Sequence, residues 1–135
     1  MKVCLDTNAL SALMVEGMGE RTVLARKAME EAERVFVPTI VLGEIYLGFV
    51  LGLREAENRQ HLGKILEQPG VMVASVDADT AERFALIAGH LRKLGKPIAT
   101  NDIWIASVAL NLGASLLTFD RDFRNVPGLL VVPKA

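Results

Sequence analysis

The sequence predicts a three-layer α/β/α domain spanning residues 1–135, with helices on both faces of a central parallel sheet of about five strands. Two observations carry that expectation. Short runs of Leu, Val, Ile and Ala alternate with longer stretches whose apolar residues recur at helical spacing. The short runs are apolar throughout, as in strands covered on both faces, rather than alternating with polar residues. A third observation concerns chemistry: single carboxylates stand at the ends of these runs or inside otherwise apolar segments.

Lys2-Val3-Cys4-Leu5 reads as a first buried strand, stopping at Asp6. Asn8 to Val15 is a short apolar helix, and Gly17-Met18-Gly19 breaks it. Glu20 to Glu33 places Val23, Leu24, Ala28 and Ala32 along one helical face. Val35-Phe36-Val37 is the second strand, after which Pro38-Thr39 opens a helix with Thr39 as the expected N-cap. Arg54 to Gln68 is a polar helix that buries Leu62, Ile65 and Leu66. Past Pro69-Gly70, Val71 to Ala74 forms the third strand. Asp79-Thr80-Ala81-Glu82 has capping-box spacing for a helix that runs to Leu94 and Gly95. Another helix starts near Thr100 and is closed after Leu112 by Gly113. Ser115 to Thr118 and Leu129 to Val132 are the fourth and fifth strands. No repeat, linker or low-complexity tract divides the chain.

Composition narrows the function classes. The chain is 51% hydrophobic but only 5% aromatic, so the core is aliphatic. A formal net charge of -1 excludes nucleic-acid binding by bulk basicity and leaves a local patch or a metal to do it. Cys4 is the single cysteine and lies in an apolar run, so no internal disulfide forms and a reducing cytoplasm is expected. Met1 to Asp6 lacks the pattern of a cleaved leader. Val35 to Leu53 carries one charge, Glu44, and approaches the roughly 20 residues of a bilayer span. Pro38, the glycines at 43, 48 and 52, and the carboxylate itself argue for a buried strand and helix instead, without a membrane.

The acids are the informative residues. Asp6 follows the first strand and Asp120 the fourth, while Glu44 lies in the first turns of the helix after the second. In parallel α/β folds those positions share one edge, where ligands bind. Asp102 opens a helix and follows no recognisable strand, so its convergence depends on how that helix crosses the sheet. Singly, Asp6 reads equally well as an N-cap, Asp102 as compensation of a helix dipole and Asp120 as a loop cap. Glu44 is harder to explain away, because Leu42, Gly43, Ile45, Tyr46 and Leu47 surround it in sequence. Two carboxylates ~4 Å apart repel by roughly 4 kcal/mol at an effective dielectric of 20. A shared edge therefore needs a cation. An all-oxygen set without His or Cys selects a hard one, Mg²⁺ or Mn²⁺. His61 and His90 lie within helices far from every acid and read as surface or packing residues.

These segments resemble PIN domains, in particular the VapC-type toxins of toxin–antitoxin pairs. The resemblance rests on Leu5-Asp6-Thr7-Asn8, on Pro38-Thr39 to Glu44, on Leu91 to Ala106 around Asp102, and on Leu117-Thr118-Phe119-Asp120-Arg121-Asp122-Phe123. It covers the whole chain, with the four segments in order. It implies metal-dependent endoribonuclease activity on RNA, frequent homodimers and a small antitoxin that blocks the site. By position, Asp6, Glu44, Asp102 and Asp120 would be the catalytic and metal-site acids. Thr7, Asn8 and Thr118 would support them, and Asp122 would replace or assist Asp120. The same resemblance admits a standalone PIN nuclease in RNA processing.

Cations that could hold RNA phosphates are Arg92, Lys93 and Lys96 before Asp102, and Arg121 and Arg124 beside Asp122; each reads equally as a solvated charge. Two readings from other classes remain. A phosphate-accepting receiver module also clusters acids at strand ends, although Asp6-Thr7 lacks an acidic pair. A partner-binding domain would make the acids incidental, which Glu44 in its apolar run opposes. High apolar content also predicts an exposed patch for a homodimer or partner helix, placed on the Ile103–Leu112 helix and on Ala9 to Val15.

Overall fold

Lys2–Leu5 forms the central strand, β1, with Val3, Cys4 and Leu5 fully buried. The chain continues through α1 (Thr7–Met14), α2 (Glu20–Glu31), β2 (Arg34–Pro38), α3 (Thr39–Leu51) and α4 (Glu55–Leu66). It then passes β3 (Val71–Ala74), α5 (Ala78–Lys93), α6 (Thr100–Leu112), β4 (Ser115–Leu117), a 3₁₀ turn (Arg121–Asn125) and β5 (Val131–Val132). This computed structural model describes residues 1–134. All strand pairings are parallel, in the order β3-β2-β1-β4-β5.

Right-handed crossovers then dictate the layers. The steps from β1 to β2 to β3 move one way and put α1 to α4 on one face. The return from β3 to β4 crosses back and puts α5 and α6 on the other. A five-stranded parallel sheet in three layers is what the apolar runs predicted. The order also removes the receiver alternative, whose strands run 2-1-3-4-5. The Val35–Leu53 segment resolves into β2 and α3, and among the described residues no helix is long and apolar enough to cross a membrane.

Local expectations needed correction in four places. Thr39 is not a cap: Pro38 ends β2 and is itself the N-cap of α3, without a side-chain bond, so strand turns directly into helix. The cap of α5 is Asp77 rather than Asp79, its Oδ1 accepting from the Thr80 N–H at 2.9 Å and the Thr80 hydroxyl at 2.8 Å. Thr80 is buried, so its hydroxyl needs that partner. At the sheet edge, β3 leaves Met72 and Val73 about half exposed instead of covered.

The fourth correction concerns apolar surface. α6 buries Ile103, Ile105, Ala106, Ser107, Val108 and Ala109, and its Trp104 stacks on Phe84 of α5 with ring centroids 4.0 Å apart. In α1, Leu10 and Leu13 are buried and only Val15, at its end, is open. The exposed patch lies instead on the second half of α3 and just beyond it, at Leu47, Val50, Leu51 and Leu53. Gly113 closes α6 as expected, in the left-handed region at φ 65° that a side chain rarely adopts.

Candidate active site

β1 and β4 are neighbours, yet the chain leaves β1 for β2 and reaches β4 from β3. Between them lies the switch point of the sheet, where crossovers diverge and leave a crevice. Asp6 ends β1 and is the N-cap of α1, its Oδ1 accepting from the Ala9 N–H at 2.8 Å. Its other oxygen, Oδ2, accepts a short hydrogen bond from the Thr118 hydroxyl. The Thr118 oxygen in turn accepts from the Asp120 N–H at 3.0 Å. One threonine thus ties the acid after β1 to the loop after β4.

Glu44 reaches the same edge from α3, and its Oε1 accepts from the Thr7 hydroxyl at 2.9 Å. Asp102 arrives by a route the sequence left open. α5 and α6 form an antiparallel pair, with Asn111 near the end of α6 bonded to Thr80 at the start of α5, 3.4 Å apart. α6 ends at Leu112, just before β4 opens at Ser115, so it runs back along the sheet and its start, with Asp102 in the first turn, lies at the C-terminal edge of the strands.

Electrostatics report the convergence. Burial pushes the Asp102 carboxyl up to about 6, aided by the negative charges of Asp120, Glu44, Asp6 and Asp122. Asp6 is also raised, first by burial and then by Asp120 and Glu44, against the lowering pull of the Thr118 and Ala9 hydrogen bonds. The acids after β1 and β4 and those on α3 and α6 therefore share one field. The ion pairs among the described residues are Met1–Glu33 and Arg59–Glu55, so none of these acids has a basic partner within 4.0 Å. No three His, Cys, Asp or Glu side chains among the described residues stand close enough to ligate one ion as they are.

The acids are a charge cluster without an internal counterion, built from carboxylate and hydroxyl oxygens. That donor set fits a hard divalent cation. Asp120 doubles as the cap of the 3₁₀ turn, accepting from the Asp122 N–H at 2.9 Å. Asp122 itself is exposed and enters only through its charge. Asn8 is exposed and makes no side-chain hydrogen bond among the described residues. His61 and His90 lie away from the cluster, on α4 and α5.

A model of the PIN domain family matches residues 3–129. The chain belongs to that family. Ribonuclease VapC5 of Mycobacterium tuberculosis (strain ATCC 25618 / H37Rv) is 28% identical over 96 residues, 71% of either chain. In fold, this PIN domain is similar to a crystal structure of VapBC2 from Rickettsia felis, bound to a DNA fragment from their promoter. The TM-score is 0.84 at 21% identity, covering 97% of both chains. It also resembles the VapBC-1 structure from nontypeable Haemophilus influenzae, with a TM-score of 0.80 at 25% identity over 97% of this chain and 96% of that one.

Three further residues at this edge carry no signal in the sequence. The Arg21 guanidinium of α2 sits 5.2 Å from the centroid of the Phe119 ring, between Thr118 and Asp120 in sequence. Ser11 and Asn58 line a cavity of about 330 Å³ between α1 and α3, which also touches Thr7 and Glu44. Nothing local marks them, because a polar residue on a helix looks the same facing solvent or a cavity. A larger cavity, about 670 Å³, opens between α2 and α4 over Val35 and Val71 and is lined by His61 but by none of Asp6, Glu44, Asp102 and Asp120.

Proposed function

We propose that this PIN domain, residues 1–135, is a divalent-metal-dependent endoribonuclease and the toxin of a VapBC-type pair. The observation that carries the reading is the meeting of Asp6, Glu44, Asp102 and Asp120 at the switch point with no basic partner. The VapC names of its relatives support RNA as substrate and a small antitoxin as partner.

Asp6 and Asp102 would hold Mg²⁺ or Mn²⁺ most directly, with Glu44 and Asp120 completing the oxygen set. When bound, the ion supplies polarisation of the scissile phosphate and a lowered pKa for the attacking water. The chain's own part is positioning. Thr118 and the Ala9 N–H fix both Asp6 oxygens, and Thr7 fixes one oxygen of Glu44, so the carboxylates are oriented before substrate arrives. Asp122 adds charge at the rim. Arg21, Arg121 and Arg124 supply positive charge on the Phe119 side, offsetting the field that would otherwise repel RNA.

The reading is tested by incubating the purified chain with unstructured RNA in Mg²⁺, in Mn²⁺ and in EDTA. Cleavage is expected with either metal and none in chelator; undiminished cleavage in EDTA sinks the metal site. Expression alone should arrest growth, and co-expression of the adjacent small gene should relieve it. The open apolar face at Leu47, Val50, Leu51 and Leu53 supports a homodimer.

A further inference from the structure

The cavity between α1 and α3 adjoins the acid cluster and has a different chemistry. It shares Thr7 and Glu44 with the cluster, then runs away from it along Met14, Gly48 and Phe49. Phe49 is buried and held edge-on to Tyr46, ring centroids 6.1 Å apart, so its part of the wall is rigid. Apart from Glu44 at its end, the cavity is lined by no charged side chain. At about 330 Å³ it falls at the lower end of small-ligand sites, which hold roughly 300–1,000 Å³.

Besides Thr7 and Glu44, two polar side chains border it, the exposed Ser11 and the half-buried Asn58, and neither has a side-chain hydrogen bond among the described residues. The pair offers a hydroxyl and an amide, each able to donate and accept.

We propose that this cavity receives the nucleobase flanking the scissile phosphate, and that Ser11 and Asn58 read its edge. The proposal rests on the nuclease reading and adds the substrate's sequence preference to it. Sequence-specific proteins read RNA from unstacked bases, held against apolar or aromatic side chains and hydrogen-bonded at their edges. A neutral, flat base suits an uncharged wall. A phosphate would be repelled by Glu44, and a cationic side chain would pair with Glu44 rather than enter beyond it. Gly48 borders open space: a Cβ built there meets nothing within 4 Å, so a larger side chain has room to enter the cavity.

The test pairs Gly48→Leu, which fills the cavity, with RNAs carrying an abasic nucleotide at each position around the cut. For the unmodified chain, removing the flanking base should lower kcat/KM about 10- to 100-fold, mostly through KM, as loss of one stacked base does. Gly48→Leu should cleave intact RNA with that same deficit and be indifferent to the abasic change. Ser11→Ala and Asn58→Ala should shift which base is preferred there. Circular dichroism melts check that the variants fold; leucine in place of a mid-helix glycine is expected to hold or raise stability. An abasic penalty of equal size in Gly48→Leu, or base preference unchanged in all three variants, overturns the base pocket. If Gly48→Leu instead loses only inhibition by the antitoxin, the cavity is a peptide site and the proposal fails. No cleavage of any RNA in Mg²⁺ or Mn²⁺ brings down the nuclease reading along with it.

Discussion

α3 and α6 are near-twins in sequence and opposites in the molecule. Each spans 13 residues, each is apolar almost throughout, and each carries one acid of the cluster, Glu44 or Asp102. α6 is wrapped by the sheet on one side and α5 on the other, so its apolar residues are used up inside the domain. α3 buries Val41, Ile45 and Phe49 but leaves Leu47 and Val50 59% exposed and Leu51 77% exposed. Apolar content therefore says that a surface will be covered without saying by what. For α6 the cover is this chain; α3 keeps part of its apolar face open within the single chain.

The same contrast governs the acids. Asp102 stands half-buried in the first turn of α6, just before its buried stretch begins at Ile103, and its carboxyl rises to about 6. Glu44 sits where α3 faces α1, with the Thr7 hydroxyl as partner.

The largest effect should come from neutralising either acid. Asp102→Asn and Glu44→Gln are each expected to lower RNA cleavage on the order of 10²–10³-fold or more. Asp102→Asn should also hold or raise the metal-free Tm, because it removes a partly buried charge among like charges. Loss of stability in both variants would make the acids structural and erase their likeness.

Truncation separates the two helices next. Ile105→Ala in α6 should cost about 2–5 kcal/mol in denaturant unfolding, as loss of a fully buried aliphatic side chain does. Leu51→Ala should stay within about 0.5 kcal/mol for the monomer, while weakening self-association measured by sedimentation. Equal costs at the two positions would break the distinction between an inner and an outer helix.

The smallest effect is in pH. A raised carboxyl means the folded state binds its proton more tightly than the unfolded chain, where aspartate titrates near 3.9. The metal-free protein is thus favoured below about pH 4, and that contribution is lost as pH rises through about 6, the value of Asp102. Tm followed from pH 4 to 7 without metal should fall by this component, and Asp102→Asn should flatten it. Saturating Mg²⁺ should reverse it, adding about 2.7 kcal/mol at a hundred times Kd. A metal-free profile unchanged by Asp102→Asn would place that charge outside the cluster.

Much of the fold is legible in the amino-acid sequence. Apolar runs at Val3–Leu5, Val35–Val37, Val71–Ala74, Leu116–Leu117 and Val131–Val132 announce strands; burial on both faces explains the three inner runs, while the edge strands β3 and β5 are apolar yet only partly covered. The position of Glu44, amid aliphatics, marks it as a candidate because an idle carboxylate is costly there. Cap residues are less legible: Asp77 and Asp79 both stand near Thr80, and only the buried Thr80 hydroxyl selects Asp77.

Sequence by itself determined the parallel α/β class, the aliphatic core and the identity of the candidate acids, because periodicity and isolated charge are local properties of the chain. The tertiary structure alone decided that Asp102 joins the others, that α3 rather than α6 stays open, and that Ser11 and Asn58 border one cavity. Each depends on which elements lie against each other across long sequence separations. The reason is geometric: strand order and helix pairing are set by the total burial of the chain, which no single segment encodes.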